Sequence, residues 1–224
     1  MRSVLVFTAL FAAACGAPDP SGAHTAADSG SSTTPQDAGS DFIVEVVAVT
    51  YGTNAGFGQD LFPGVVLGPP SGGGTGRGSF DVLSLGNRGS ITVRLGRDAV
   101  DGPGPDLIVF ENAFLLAGQG QTWAEPARVE VSQDGETWHA FPCDSTAWPF
   151  TGCAGVIPVQ APGRDGGISP VDPAVSGGDL FDFSDIGVER ARFVRITDEA
   201  PQDQPAQTAG FDLDAVAVVR HDGP

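Results

Sequence analysis

The sequence predicts an all-β domain, built as a sandwich or barrel of short strands. From Phe42 onward the chain consists of short apolar runs that Gly, Pro, Asn and Asp separate. Several runs alternate apolar and polar residues, as in 91–95 and 192–196, which is the period of a strand with one buried face. No long window shows clean helical periodicity, so we expect many short strands joined by turns.

Eight segments have the pattern of strands. Between the fifth and sixth, the Asp-Gly pair of Asp134 and Gly135 is typical of a tight hairpin connection. The segment 182–192 predicts one helical turn at most. In chain order the predicted strands are FIVEVVAV (42–49), FDVLSLG (80–86), SITVRLG (90–96), LIVF (107–110), ARVEVSQ (127–133), WHAFPC (138–143), ARFVRIT (191–197) and FDLDAVAVV (211–219).

Residues 1–15 have the form of an export signal. One arginine precedes an apolar run, 4–14, that is too short to span a bilayer as a helix. The run ends in "AAAC", which resembles the lipobox of bacterial lipoproteins, where the cysteine, here Cys15, is lipidated and becomes the first mature residue. Ala12 stands where that motif usually has Leu. An ordinary signal peptide cleaved just before the cysteine is the alternative.

Residues 16–41 contain no large apolar side chain. This composition cannot bury enough surface to offset the entropy of ordering, so we predict a disordered tether that leads to a single domain, 42–221. Ala17 lies second after the cysteine. By resemblance to the sorting rule of some enteric bacteria, this residue favours the outer membrane. We therefore expect a lipid-anchored protein of the bacterial envelope, at the outer membrane or cell surface.

The charge balance is strongly acidic. The formal charge is −17, from 28 acidic residues against 11 basic ones, all of them arginine. Nucleic-acid affinity depends on basic residues that neutralise phosphates, so we expect no nucleic-acid partner. A net acid can bind cations, or the charge can serve only to keep the protein soluble.

The segments "ARVEVSQDGETWHAF" and "ARFVRITD", followed by a final apolar strand, resemble galactose-binding-like jelly-roll sandwiches. Discoidin-type domains and many carbohydrate-binding modules belong to that group, and "GSITVRLG" is similar to their second-strand pattern. The resemblance covers roughly 42–220. It implies a jelly-roll β-sandwich whose partner is a glycan or another envelope component. Trp123, Trp148 and Phe150 could stack on sugar rings, although such residues more often pack in cores or loops.

Two cysteines remain once Cys15 is lipidated. Cys143 and Cys153 lie ten positions apart in a Pro- and Trp-containing loop. Because an exported chain meets an oxidising compartment, we predict that they form a disulfide. No histidine lies near them in sequence, which argues against a metal site there.

Paired acids predict a calcium site. Asp212 and Asp214 are two apart and would share one face of a strand, where two carboxylates repel unless a cation or Arg lies between them. Calcium prefers carboxylate and carbonyl oxygens. In carbohydrate-binding jelly rolls the final strand reads Asn-Leu-Asp, which implies that Asp214 is a calcium ligand, although Asp212 replaces the Asn. Asp101 and Asp106 are the next predicted ligands. The alternative is that these acids form turns and solvated strand ends.

Other acids extend the choice of function. Glu111 and Asn112 follow the fourth predicted strand, and Asp179 and Asp182 lie in "GGDLFDF". Glu111 with Asp179 or Asp182 could serve as acid and base in glycoside cleavage. No nucleophile elbow, zinc-protease motif or phosphate loop is present. We expect a binding module and not an enzyme, with a purely structural envelope protein and a glycoside hydrolase as alternatives.

Overall fold

A computed structural model describes residues 39–116, 122–161, 167–200 and 209–223. The predicted export signal, with Cys15, and residues 16–38 of the predicted tether lie outside the described residues. Within these four ranges we find no helix with the length and apolar character needed to cross a bilayer.

The regular secondary structure of the described residues is almost entirely β, as the sequence predicts. Short 3-10 turns occur at Gly64–Val66 and Phe183–Asp185, and the second lies in the segment predicted to hold one helical turn. The strands are β1 Ile43–Thr50, β2 Leu83–Ser84, β3 Ser90–Val100, β4 Leu107–Glu111, β5 Phe114–Leu115, β6 Thr122–Trp123, β7 Ala127–Ser132, β8 His139–Ala140, β9 Asp179–Phe181, β10 Arg190–Asp198 and β11 Asp212–Val218.

All eight predicted strands occur, although β2 and β8 are only two residues long. Strands β5, β6 and β9 are additional, and each is too short to show an alternating pattern. The predicted hairpin joins β7 to β8, which pair antiparallel. Gly135 has a φ of 78° at its tip, and Asp134 Oδ1 accepts the backbone N–H of Glu136 and of Thr137, each at 2.8 Å.

The strands form two antiparallel sheets that pack face to face. The five-stranded sheet has the order β1-β3-β10-β7-β8, and the four-stranded sheet has the order β2-β11-β4-β9. One hydrophobic core takes side chains from both sheets, for example Ile91 and Val194 from the first, and Val109 and Val216 from the second. The fold is therefore an all-β sandwich. Strands β5 and β6 form a separate two-stranded ribbon.

The five-stranded sheet has one buried face and one face with ion pairs. Ile91, Val93 and Leu95 of β3 are fully buried in the core, which confirms the alternation predicted for this segment. On the other face, Arg195 donates to both carboxylate oxygens of Glu130 across the strand pair, at 2.8 and 2.7 Å. The strands of this sheet therefore have one face in the core and one face toward solvent.

The four-stranded sheet is buried on both faces. Every residue of β4 and of β11 is buried. Alternate residues enter the main core, and the others form a second cluster with Val159 from the long connection between β8 and β9. This explains why "LIVF" and "AVAVV" are continuously apolar. It also means that a polar side chain at the end of β4 or β11 lies in the interior.

The predicted disulfide between Cys143 and Cys153 is present. The end of its loop is fastened to β7, because Ala127 and Ala154 exchange two backbone hydrogen bonds, of 3.0 and 2.9 Å. The disulfide therefore holds a segment that has its own attachment to the five-stranded sheet.

Replacing both Cys143 and Cys153 with serine should lower stability by about 2–3 kcal/mol, because the unfolded chain loses a loop constraint. Hydrogen exchange should show lost protection in 143–153 well before global unfolding, since the core lies outside the loop. Two free thiols in denatured, non-reduced protein would contradict the assignment.

Candidate metal centre

The four acids predicted as calcium ligands lie in three different surroundings. Asp101 and Asp106 group with Asp182, whereas Asp212 groups with Glu111 and Glu125. Asp214 instead contacts the backbone of the Gly-rich loop GPPSGGGTGRGS (68–79), where its carboxylate accepts the N–H of Ser71 at 2.8 and 3.1 Å. Among the described residues, the predicted ligands therefore belong to two acidic clusters, except Asp214, which accepts the backbone N–H of Ser71.

A bulge separates Asp212 from Asp214. The register of β11 against β4 shifts between Leu213 and Ala215. Leu213 faces the main core, and the next core residue is Val216, so the two-residue alternation breaks at this point. Spacing of two in the sequence therefore does not place the two carboxylates together.

The cluster around Asp106 already contains a positive partner. Asp106 is fully buried, and its Oδ1 lies 3.7 Å from Nε of Arg220. Its Oδ2 accepts the N–H of Phe183 at 2.8 Å, and Asp182 caps the same 3-10 turn by accepting from Ser184 at 3.0 Å. Burial raises the pKa of Asp106. These acids fasten the turn after β9 to the start of β4, which is a structural role.

The second cluster consists of Glu111, Glu125 and Asp212. An oxygen from each carboxylate lies within 4.8 Å of the others, and the residues are 1%, 6% and 8% exposed. Glu111 ends β4 and Asp212 begins β11, so the two neighbouring strands bring these acids together. Glu125 comes from the segment between β6 and β7. Asn112 joins the cluster through its Nδ2, which donates to Asp212 Oδ2 at 3.1 Å.

Three oxygens in this cluster lack partners. Glu111 Oε2, Asn112 Oδ1 and Asp212 Oδ1 are fully buried and have no hydrogen bond among the described residues. Burying a polar atom without a partner costs free energy, and native proteins rarely leave such atoms unsatisfied. Three of them on adjacent side chains indicate that something outside the protein chain completes the site.

The pKa values of these acids also indicate that a group outside the protein chain completes the site. Burial, together with the charges of Asp212 and Glu125, raises the pKa of Glu111 well above its usual range. Burial and the charge of Asp212 raise the pKa of Glu125 to about 8, and burial raises the pKa of Asp212. Within the described residues no arginine or histidine forms an ion pair with these acids. The cluster must therefore hold either protons or a cation.

The donor set fits a hard divalent cation. It offers three carboxylates and the amide oxygen of Asn112, and no nitrogen or sulfur ligand. Calcium takes oxygen ligands in flexible geometry, whereas zinc favours His and Cys. Glu111, Asn112, Glu125 and Asp212 are therefore the residues that would hold calcium, and its charge would offset their mutual repulsion.

The Gly-rich loop covers this site. A Cβ atom on Gly78 would lie 1.6 Å from Asn112 Oδ1, so only glycine allows the approach. Thr75 O accepts the N–H of Leu115 at 2.8 Å, which fastens the same loop to β5. This loop therefore forms part of the wall of the site.

Trp123 links the cluster to the protein surface. Its side chain lies close enough to the Glu125 carboxylate to lower the pKa of that acid, against the larger effect of burial. The indole stacks on Phe114, with ring centres 6.5 Å apart and planes 19° apart, and 44% of the residue is exposed. An exposed aromatic ring is thus positioned by one of the candidate metal ligands.

Asp179 belongs to neither acidic cluster and instead lines a cavity of about 600 Å³. Its Oδ2 accepts the backbone N–H of Gly155 at 2.8 Å and of Val156 at 3.0 Å. Glu111 does not line this cavity. The acid and base considered for glycoside cleavage are therefore not presented to one ligand space.

Glu125 is the site residue that sequence reasoning missed. It stands alone before Pro126, with no neighbouring acid and no alternating pattern. Its contribution depends on the β6–β7 connection folding back against β11, which no local signal reveals.

No protein-family model matches the chain, and a search of curated proteins found no match.

Substituting Gly78 with alanine should displace Asn112 and weaken any cation site there, with a stability loss of about 1–3 kcal/mol from overpacking. Gly76→Ala is the matched control in the same loop, because nothing lies within 4 Å of its added Cβ. Thermal melts of both variants, with and without calcium, check this. Equal melting of the two variants would contradict the close approach.

Proposed function

We propose that this protein is a lipid-anchored binding module of the bacterial cell surface, with a galactose-binding-like jelly-roll domain that calcium stabilises. Glu111, Asn112, Glu125 and Asp212 would hold the ion. The observation that carries the proposal is the set of three buried oxygens without partners in a cluster of acids.

Calcium would connect three parts of the chain at one end of the four-stranded sheet. Glu111 and Asp212 belong to paired strands, and Glu125 belongs to the connection that leads into β7 of the other sheet. An ion bound by all three would oppose the separation of the two layers at this end. Its contribution to stability follows from binding the folded chain and not the unfolded one.

Glycan is the proposed partner. Trp123 and Phe114 form a stacked, partly exposed aromatic pair beside the proposed ion. Trp148 is 54% exposed and contacts Phe150 edge to face, with ring centres 5.8 Å apart. Aromatic rings that combine an apolar face with a hydrogen-bonded edge suit the ring faces of sugars. Because the Trp123 side chain interacts with the Glu125 carboxylate, ion binding and the stacking surface would be coupled.

Anchoring is proposed from the N-terminal sequence alone. The "AAAC" motif precedes a tether whose composition cannot support a folded core. A coil of about 26 residues would have a root-mean-square reach of roughly 30 Å, enough to hold the domain away from a membrane surface.

The alternatives receive less support. A glycoside hydrolase needs its acid and base at one bond, but Glu111 is only 1% exposed and lies outside the cavity that Asp179 lines. A purely structural envelope protein would need no cation and no exposed aromatic pair. A glycan array separates the binding module from the structural protein, and new reducing ends from polysaccharide would reveal the hydrolase.

Calcium at one hundred times its dissociation constant should stabilise the fold by about 2.7 kcal/mol, a shift of several degrees in melting temperature. Chelator should reverse the shift, and magnesium should substitute poorly because it demands octahedral geometry. Glu111→Gln should abolish the calcium response and yet keep the melting temperature in chelator at least as high as that of the wild type, since without calcium the buried acid must either hold a proton or repel its neighbours.

Two controls make that result specific. Asp101→Asn, in the cluster paired with Arg220, and Asp60→Asn, at an exposed position, should both keep the calcium response. The metal proposal fails if calcium leaves the wild-type melt unchanged and elemental analysis finds no bound ion.

Expression in a bacterial host should yield protein that partitions into detergent, and Cys15→Ser should release it from membranes, because the thiol is the proposed site of lipidation. Mass spectrometry of the mature N-terminus is the direct measurement. An unmodified mature terminus would instead support ordinary signal-peptide cleavage.

A further inference from the structure

A cavity of about 600 Å³ opens beside the disulfide loop. This volume is in the range of small-molecule sites in proteins. Its walls come from the disulfide loop, from the segment that follows it, and from edge strand β9 with the turn after it. The apolar side chains that matter here are Phe141, Phe150, Ile157 and Phe181.

The cavity holds one buried carboxyl group. Asp179 is 5% exposed, and its Oδ2 is occupied by the backbone N–H groups of Gly155 and Val156. Its Oδ1 has no hydrogen bond among the described residues, because the backbone donors, which also include Ile157 at 3.5 Å, all bond to Oδ2. Burial raises the pKa of Asp179 to about 7, while the backbone N–H groups oppose that rise.

The charges around the cavity have one sign. Asp185 is the other titratable residue that lines it, and within the described residues no arginine or histidine does so. Glu111, on the neighbouring strand β4, adds a further acid near Asp179. Asp179 is thus a buried acid without a counter-ion, at the edge of a space large enough for a ligand.

We propose that this cavity binds a small organic cation, an ammonium group carried on a ring or short apolar body. The ammonium would pair with Asp179 Oδ1, and the apolar body would lie against the phenylalanine rings. Aromatic faces attract cations in desolvated surroundings, and the net charge of −17 favours the approach of positive ligands.

Other ligand classes fit less well. An anion would face Asp179 and Asp185 with no compensating charge. A neutral polyol could donate a hydroxyl to Oδ1 but would leave the carboxylate without a counter-charge in a low-dielectric space, where charge pairing matters most. The site requires no metal, and it goes beyond the proposed calcium site because Asp179 belongs to neither acidic cluster; it shares Phe150 with one of the aromatic pairs proposed for glycan.

The wall of the cavity is held in advance of binding. Phe150 lies within the loop that the Cys143–Cys153 disulfide closes. Its neighbour Trp148 packs against it edge to face. A wall ordered before the ligand arrives loses less conformational entropy on binding, which improves affinity.

The experiment compares benzylamine with benzyl alcohol, which have the same ring and differ in charge. Calorimetric titration of the purified full-length chain in detergent, at about pH 8, keeps the amine charged and Asp179 mostly ionised. Benzylamine should bind at least about tenfold more tightly. Asp179→Asn should remove that preference, whereas Asp60→Asn, remote in sequence and exposed, should retain it.

A measurement on the unaltered protein covers the case in which Asp179→Asn does not fold. Saturation with benzylamine should shift the amide resonances of Gly155 and Val156, which donate to Asp179. Phe150→Ala should weaken the binding of both probes but keep the preference for the amine. The proposal is overturned by equal affinity for the two probes, by binding of neither, or by unchanged Gly155 and Val156 amides at saturation.

Discussion

Burial of the four-stranded sheet on both faces is the constraint on which the rest of the structure depends. Strands β4 and β11 lie between the main core and the long connections that cover their outer surface. Water therefore cannot solvate the acids at the ends of these strands. Each of those carboxylates must find a partner inside the protein, hold a proton, or bind a ligand.

The acids meet this constraint in different ways. Asp106 uses Arg220 and a backbone N–H, and Asp214 uses the N–H of Ser71. Asp179 uses backbone N–H groups on one oxygen only. The Glu111 cluster has few such donors and keeps three oxygens unpartnered. The charge is more compensated in the structural acids, which have an ion pair or backbone donors, and less compensated in the two candidate ligand sites.

The Gly-rich loop (68–79) and the disulfide loop (143–153) supply walls of these sites. The Gly-rich loop reaches Asn112 through Gly78, and the disulfide loop contributes Phe150 to the cavity. Neither loop is among the quoted segments that resemble jelly-roll modules. The sandwich therefore positions the acids, while the inserted loops determine which groups a ligand could reach.

The sequence by itself determined the strand segments, the β7–β8 hairpin and the Cys143–Cys153 disulfide, because these depend on local periodicity, turn residues and redox compartment. It also identified the acids of β11 and the end of β4 as unusual. Only the tertiary structure decided which acids meet. A bulge separates Asp212 from Asp214, and a distant connection brings in Glu125. Strand register and loop return are properties of long-range packing, and no local pattern in the chain encodes them.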